Sequence, residues 1–282
     1  MIDLTEATET VSNIGKELTR YAQGLLSERA KRSPYPRDRA DVDFLLTRLG
    51  RMQQFLKAAY VLAHQDFGSA VAPIARAMWE TWIDTAWLLL DAKERAHLFW
   101  ASTLPKTLAL FANFEKYETL NEHNQQTKAI LQELRLKEPE LYDPWVLKKG
   151  PNKGKFMGYT QIRWQGKSIR EMVDELEEKG RLGQPGHRPY RYSYDYVYSR
   201  LCSVTHGDSS ELESLMDTLP DGATIFQAGA GRFDAISSLL SGTGAALIFL
   251  AELYFCGYHF GDYSLLEEMR IKLDALRDRH GS

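Results

Sequence analysis

The sequence predicts an all-α protein, a single multi-helix bundle over residues 1–282 with a basic loop or insertion and at most a minor β element. Three observations carry this. Apolar residues recur at threes and fours along most of the chain, the period of a helix with one buried face. No alternation of strand-like and helix-like segments supports a parallel sheet, and no internal repeat of fixed period is visible. The composition, 44% hydrophobic and 26% charged with a net charge of −3, is that of a chain able to bury a core, which excludes general disorder.

The helices follow in order. Asp3 to about Lys31 is amphipathic and ends in RSPYPRDR, so residues 32–38 read as an interhelical linker stopped by Pro34 and Pro36. Asp41 to His64 repeats the pattern through Leu45, Leu49, Met52, Leu56 and Tyr60. Gly68 breaks the chain, and Ser69 is placed to cap the run from Ser69 to Asp91, where Pro73 is tolerated only near the start. Ala92 to about Tyr117 predicts one helix kinked near Pro105, and Glu122 to Lys137 another. The periodicity then fails. Residues 138–167 predict a basic loop or small insertion, with room for one hairpin. Ser168 and Glu171 form a capping box that opens SIREMVDELEEKG. A second loop leads to a helix from Ser193 to about His206. Asp221-Gly222 suggests a turn and ATIFQAGAG one short strand, before helices from Phe233 to Tyr258 and Tyr263 to Arg279.

Ala235 to Tyr258 is apolar enough to raise a membrane span. Its first half is rich in Ser, Thr and Gly, and Glu252 interrupts the second, so a buried central helix is the expectation. The acidic, polar N-terminus does not read as a signal peptide. Two cysteines, Cys202 and Cys256, exclude a disulfide scaffold. They sit in apolar helical runs as reduced thiols, which points to a cytoplasmic protein.

Several chemistries are absent from the sequence. A di-metal bundle needs two Glu-x-x-His motifs, and the chain has one, Glu94 to His97, on a charged helix start. No phosphate-binding loop and no nucleophile elbow occurs; Gly242 and Gly244 lie inside a helix, where they permit close packing. No metal and no cofactor is expected.

Two features stand above this background. Between Ser69 and Leu90 the only charges are Arg76, Glu80 and Asp84, four apart, which makes one stripe on an otherwise apolar helix. The stripe is either a narrow exposed face or the charged wall of a cavity. In YSYDYVYSRLCSVTHGDSSEL, Tyr192, Tyr196, Ser199, Ser203, His206 and Ser210 step by four and three along one face. Arg200 lies about 120° from His206 at 100° per residue, so the two converge only if the helix loosens near Gly207 or the arginine reaches round. The plain alternative is a helix-end histidine capping carbonyls, with the arginine in an ion pair.

Arg200-Leu-Cys-Ser-Val-Thr-His206 resembles the Arg-x4–6-His signature of the HEPN superfamily (higher eukaryotes and prokaryotes nucleotide-binding). It departs from the catalytic pattern at Leu201, where a polar residue is common. The helix with Ala75, Arg76 and Glu80, together with the helix that carries Tyr192 or Tyr196 with Ser199 and His206, is similar to a family of uncharacterised bacterial all-helical proteins, over about Gly68 to Gly261. The HEPN resemblance implies an all-helical, usually dimeric protein, often a metal-independent endoribonuclease of toxin or phage-defence systems. RNA, a second copy of the chain and a cognate antitoxin or defence partner are the partners it implies. His206 would then be general base or acid and Arg200 the phosphate ligand. Arg76, Glu80, Asp84, Tyr196, Ser199 and Ser203 would form a supporting polar network.

From Pro144 to Arg170 there are seven Lys or Arg and no Asp or Glu, with Trp145, Phe156, Tyr159 and Trp164 interleaved. Such a loop suits phosphate contacts and base stacking, through Lys148, Lys149, Lys153, Lys155, Arg163, Trp164 and Lys167, or is simply a soluble surface insertion. Two readings follow: a HEPN-like RNA-binding protein or ribonuclease, and a non-catalytic helical binding protein with a polar ligand cavity. No membrane is expected as a partner.

Overall fold

The fold is all-α. The computed structural model describes residues 4–65, 67–139, 142–151, 153–154, 157, 166–179, 189–206, 216–218, 224–226 and 232–280; at some helix ends, 203–206 among them, and in both strands it describes the backbone alone. The chain divides into two compact units. One comprises Met1–Pro34, Leu45–Leu90 and Ile169–Ser282, the other Tyr35–Phe44 and Asp91–Ser168.

The first unit is built on two apolar helices. Helix α3, Gly68–Leu89, packs along a second helix, α10, Arg232–Phe255. Ala72, Ala75, Trp79 and Trp82 of α3 and Leu239, Ala246, Phe249 and Leu253 of α10 are buried. Burying an aliphatic or aromatic side chain of this size stabilises by about 1.5–3 kcal/mol. Gly242 lets the two backbones close: a Cβ there would stand 2.9 Å from Met78 Sδ and 3.3 Å from Ala75 Cα. Helix α1, Leu4–Lys31, and helix α11, Tyr263–His280, cover α10, while α2, Ala40–His64, runs from one unit into the other. Helix α7, Ile169–Lys179, begins directly after Ser168, where the capping box places its start, and lies on α3. There Trp87 Nε1 donates to Glu175 Oε2 at 2.6 Å.

Helix α10 contains the one segment among the described residues long and apolar enough to cross a membrane, Ala235–Phe255. In the fold 78% of that window is buried inside the protein. Glu252, the charge that interrupts it, is 1% exposed and accepts a hydrogen bond from the Tyr190 phenol. Tyr190 in turn stacks on Trp82 at 5.4 Å.

The second unit holds the start of α2 with α4, Ala92–Ala101, α5, Thr103–Phe114, and α6, Glu122–Lys137. The kinked helix expected near Pro105 is two helices that meet at Ser102. Proline has no N–H and its ring crowds the carbonyl four residues back, here that of Ala101, so the chain turns there. Ser102 and Thr103 then donate to Phe99 O and Trp100 O, each at 2.7 Å. Helix α6 has its expected bounds, capped by Asn121, whose side chain accepts from Asn124 N at 2.9 Å. Beyond α6 the described backbone is irregular, with a short 3₁₀ turn at Asp143–Trp145.

Three further expectations change. Ser69 is not the cap of α3: the helix starts at Gly68 and Phe67 takes the cap position with no side-chain bond. The helix expected from Ser193 is a composite of α8, Pro189–Tyr192, a π-helical segment, Ser193–Tyr198, and α9, Ser199–His206. The short strand near Ile225 has a partner: Met216–Thr218 pairs antiparallel with Thr224–Phe226. The Asp221-Gly222 turn lies outside the described residues.

Candidate functional site

The charged stripe of α3 does not act as one feature. Steps of four residues advance 400° around a helix, so Asp84 lies about 80° from Arg76. That drift carries Asp84 to the side of α2, where Arg48 Nη2 donates to its Oδ2 at 3.0 Å. Both side chains are sealed, with exposures of 8% and 11%. Burial lowers the Arg48 guanidinium below its ordinary value, against the pull of Asp84.

Arg76 and Glu80 face the other way, toward the π segment and α9. Arg76 Nε donates to Glu80 Oε1 at 3.1 Å, and the Tyr198 phenol donates to the same oxygen at 3.0 Å. The Arg76 guanidinium lies over the Tyr198 ring, 5.5 Å from its centroid, with Nη2 3.5 Å from the phenol oxygen. This triad is half-buried. Burial, then the charge and hydrogen bond of Glu80, push the Tyr198 phenol well above its ordinary value. Burial acts against the Arg76 guanidinium, but the hydrogen bond and charge of Tyr198, then Cys202 and Glu80, outweigh it and raise its pKa.

Tyr198 is the residue that sequence periodicity misses. The stepping by fours and threes assumes an unbroken α-helix, which puts Tyr196 and Ser199 on the inner stripe. A π-helical segment closes i→i+5 bonds and turns less per residue, and such segments often occur at functional sites. Here the wider turn rotates Tyr198 inward to Glu80 and leaves Tyr196 outside. Ser199 is also outside, its hydroxyl donating to Tyr194 O five residues back at 3.0 Å. Tyr196 is 69% exposed and stacks on Tyr192, itself 62% exposed, with centroids 4.9 Å apart. Tyr194 and Tyr198 form a second stacked pair at 5.3 Å. Neither Tyr196 nor Ser199 joins the Arg76 network. The side chain of Ser203 lies outside the described residues, as does Ser210.

Arg200 is exposed and makes no ion pair among the described residues. It stands one turn beyond Tyr196 at the edge of a cavity of about 210 Å³. Tyr196, Val197, Arg200 and Leu201 form one wall; Ser237, Ser238 and Ser241 of α10 form the other. Among the described residues no carboxylate lines it. Leu201, where catalytic HEPN proteins commonly have a polar residue, is buried at 4% exposure and closes the cavity's apolar side. The backbone from Ser199 to His206 is α-helical, so the only loosening described in this region lies upstream, at Ser193–Tyr198. The His206 side chain and Gly207 lie outside the described residues. A larger groove of about 420 Å³ runs between α1 and α2, past Lys16, Gln53 and Lys57, and is lined by none of the candidate site residues.

The basic segment belongs to the second unit. Lys148, Lys149 and Lys153 are exposed and Lys167 is partly so; Lys155, Arg163 and Trp164, with Phe156 and Tyr159, lie outside the described residues. Trp145 is not available as a stacking surface. It is 4% exposed, and its carbonyl accepts from Met157 N at 2.9 Å.

The described residues form an all-α protein with a half-buried Arg–Glu–Tyr triad and a small cavity beside an exposed arginine. It belongs to DUF5677, a family of unknown function, whose model matches residues 43–223, more than half of the chain. The match contains the triad and the whole of α9 but stops short of the serines on α10. No curated protein and no solved structure matches the chain significantly.

Proposed function

We propose that the chain is a HEPN-like RNA-binding protein that acts as a metal-independent endoribonuclease of toxin or phage-defence type, working as a homodimer. The observation that supports this best is Arg200. It is an exposed arginine on the helix that ends in His206, lining a cavity with an aromatic rim and no carboxylate among the described residues. A permanently charged, fork-shaped guanidinium suits a phosphodiester. In this reading the RNA 2′-hydroxyl attacks the adjacent phosphorus, His206 takes the hydroxyl proton and returns one to the leaving 5′-oxygen, and Arg200 stabilises the charge on the phosphoryl oxygens. The Arg76–Glu80–Tyr198 triad holds α9 against α3 and so fixes Arg200. Lys148, Lys149, Lys153 and Lys167 supply sequence-independent phosphate contacts.

The purified protein should cut single-stranded RNA in EDTA and leave 2′,3′-cyclic phosphate ends. His206→Ala should slow cleavage by about 10²–10⁴-fold, the usual contribution of one general acid–base group, with an unchanged circular dichroism spectrum. Cleavage indifferent to His206→Ala would remove the catalytic assignment. The second reading, a non-catalytic helical binding protein, is favoured by Leu201, which gives the motif an apolar residue facing the cavity. RNA binding without cleavage would select an RNA-binding form of it; a protein that does neither leaves a different ligand for the cavity.

A further inference from the structure

We propose that the cavity between α9 and α10 is the subsite for one unpaired ribonucleotide of an RNA strand, with its base stacked on Tyr196 and its 2′-hydroxyl bonded to Ser237 and Ser241. This rests on the RNA reading above and goes beyond it, because it assigns base and sugar recognition to residues that the Arg-x5-His motif does not contain.

Four observations converge on it. Tyr196 is 69% exposed and already stacked on Tyr192, so one ring face continues a two-ring column to which a base can be added. Base–aromatic stacking is tolerant of base identity and is a main source of affinity for single strands. Arg200 follows Tyr196 by four residues, one turn along the same face. A base held on Tyr196 therefore brings its own phosphate toward the guanidinium.

The opposite wall is hydroxylic. Ser237 and Ser241 are four apart on α10, share one face and line the cavity. Both are partly exposed, and neither hydroxyl has a hydrogen-bond partner among the described residues. Thr243, on the same helix, by contrast spends its hydroxyl on Leu239 O at 2.7 Å. A serine hydroxyl both donates and accepts, as the 2′-hydroxyl does, and the 2′-hydroxyl is what separates RNA from DNA at a given site. The volume of about 210 Å³ is that of one nucleoside, not of a duplex groove. Arg200 at the cavity favours an anion there, while Val197 and Leu201 give the base an apolar edge. The chemistry specified is a planar aromatic ring, a ribose with a free 2′-hydroxyl, and a phosphate.

The test is fluorescence anisotropy with the full chain, comparing labelled oligouridylate with oligodeoxyuridylate of equal length at one fixed salt concentration. The wild-type chain should prefer the ribo-oligomer. Tyr196→Ala should weaken it by about 5- to 150-fold, the loss expected of one base stack, and Tyr196→Phe should restore it, since the ring and not the phenol is used. Ser237→Ala combined with Ser241→Ala should bring the ribo-oligomer down to the affinity of the deoxy-oligomer while leaving the latter unmoved. All these positions are at least partly exposed, and thermal melts check that the variants fold. Photo-crosslinking of 4-thiouridine RNA should map to the segment Tyr192–Leu201. RNA binding that is insensitive to Tyr196→Ala and to the serine pair would overturn this subsite and leave the RNA reading standing. No RNA binding at all by the wild-type chain would overturn both.

Discussion

Helix α3 carries two arginine–carboxylate contacts of near-identical length, and they teach opposite things. Arg48–Asp84, at 3.0 Å, joins α2 to α3 with both side chains about nine-tenths buried. Arg76–Glu80, at 3.1 Å, lies eight residues earlier within one helix, and its side chains are 24% and 36% exposed. Distance does not separate them; solvent does. In the buried pair each charge has lost its hydration, so removal of one leaves the other enclosed without its opposite charge across the helix contact. In the half-exposed pair water still screens the charges, and the contact matters because Tyr198 completes it. The first is a clamp between helices. The second is a setting for the helix that carries Arg200.

The largest expected effect is therefore at the clamp. Asp84→Ala should destabilise the protein by about 3–5 kcal/mol, because it leaves Arg48 charged and enclosed. Urea unfolding at pH 7 measures it. Replacing both partners by apolar residues, Arg48→Met with Asp84→Leu, should recover most of that loss, since a buried pair is often no better than well-packed hydrophobic residues of similar volume. A loss below about 1 kcal/mol in Asp84→Ala would place both pairs in the same class and break the contrast.

The middle effect is at the setting. Glu80→Gln should cost about 1–2 kcal/mol, less than the clamp, as it weakens one charge-assisted contact and keeps a hydrogen-bond acceptor for Tyr198. It should also be the salt-sensitive one. At about 1 M salt the Debye length falls to about 3 Å, so the difference between wild type and Glu80→Gln should shrink, while that of Asp84→Ala should hold. A salt-independent Glu80→Gln would mean that its pair is sealed too.

The same contrast marks what was legible in the sequence. Arg76, Glu80 and Asp84 are visible as a stripe because charges four apart on an apolar helix are conspicuous. Which of them is buried is not visible, because the 40° drift per step decides it only once α2 and α9 have packed on either side. Helix α6 shows the favourable case, with an Asn cap at one end and loss of periodicity at the other, so both bounds follow from local chemistry. The break at Ser102 is nearly as legible, since Pro105 forces it and only its sharpness escapes. The π segment is the opposite. Nothing in YSYDYVY announces an i→i+5 turn, and the misplacement of Tyr196 and the omission of Tyr198 both follow from assuming 100° per residue. Trp145 fails differently: it sits in a basic, Gly-rich loop, yet the protein buries it. Ser237 and Ser241 read in sequence only as polar residues at the start of an apolar helix; the cavity they line exists only in three dimensions.

The smallest expected effect is also the most specific to the half-exposed pair. Tyr198→Phe removes one hydroxyl that donates to Glu80 and lies under Arg76, and keeps the ring on which the guanidinium rests. At neutral pH the loss should be about 1 kcal/mol, the net worth of one hydrogen bond to a charged group that is partly solvated. Its pH dependence has a definite sign. Burial and the Glu80 charge hold the phenol above its ordinary value in the folded protein, so the folded state binds the proton more tightly than the unfolded state. That contribution is fully present below the unfolded pKa of about 10 and is lost as pH rises from there toward the folded value. The phenylalanine variant has no such proton. The stability difference between wild type and Tyr198→Phe should thus be flat from about pH 7 to pH 9 and shrink above about pH 10. Urea titrations of both proteins at pH 7, 9 and 10.5 read it directly. The other tyrosines, Tyr21 among them with its own raised pKa, are common to the two proteins and cancel in the difference. A difference that grows with pH would show that the phenol is easier to ionise in the folded state, and Tyr198 would then face Arg76 more strongly than Glu80.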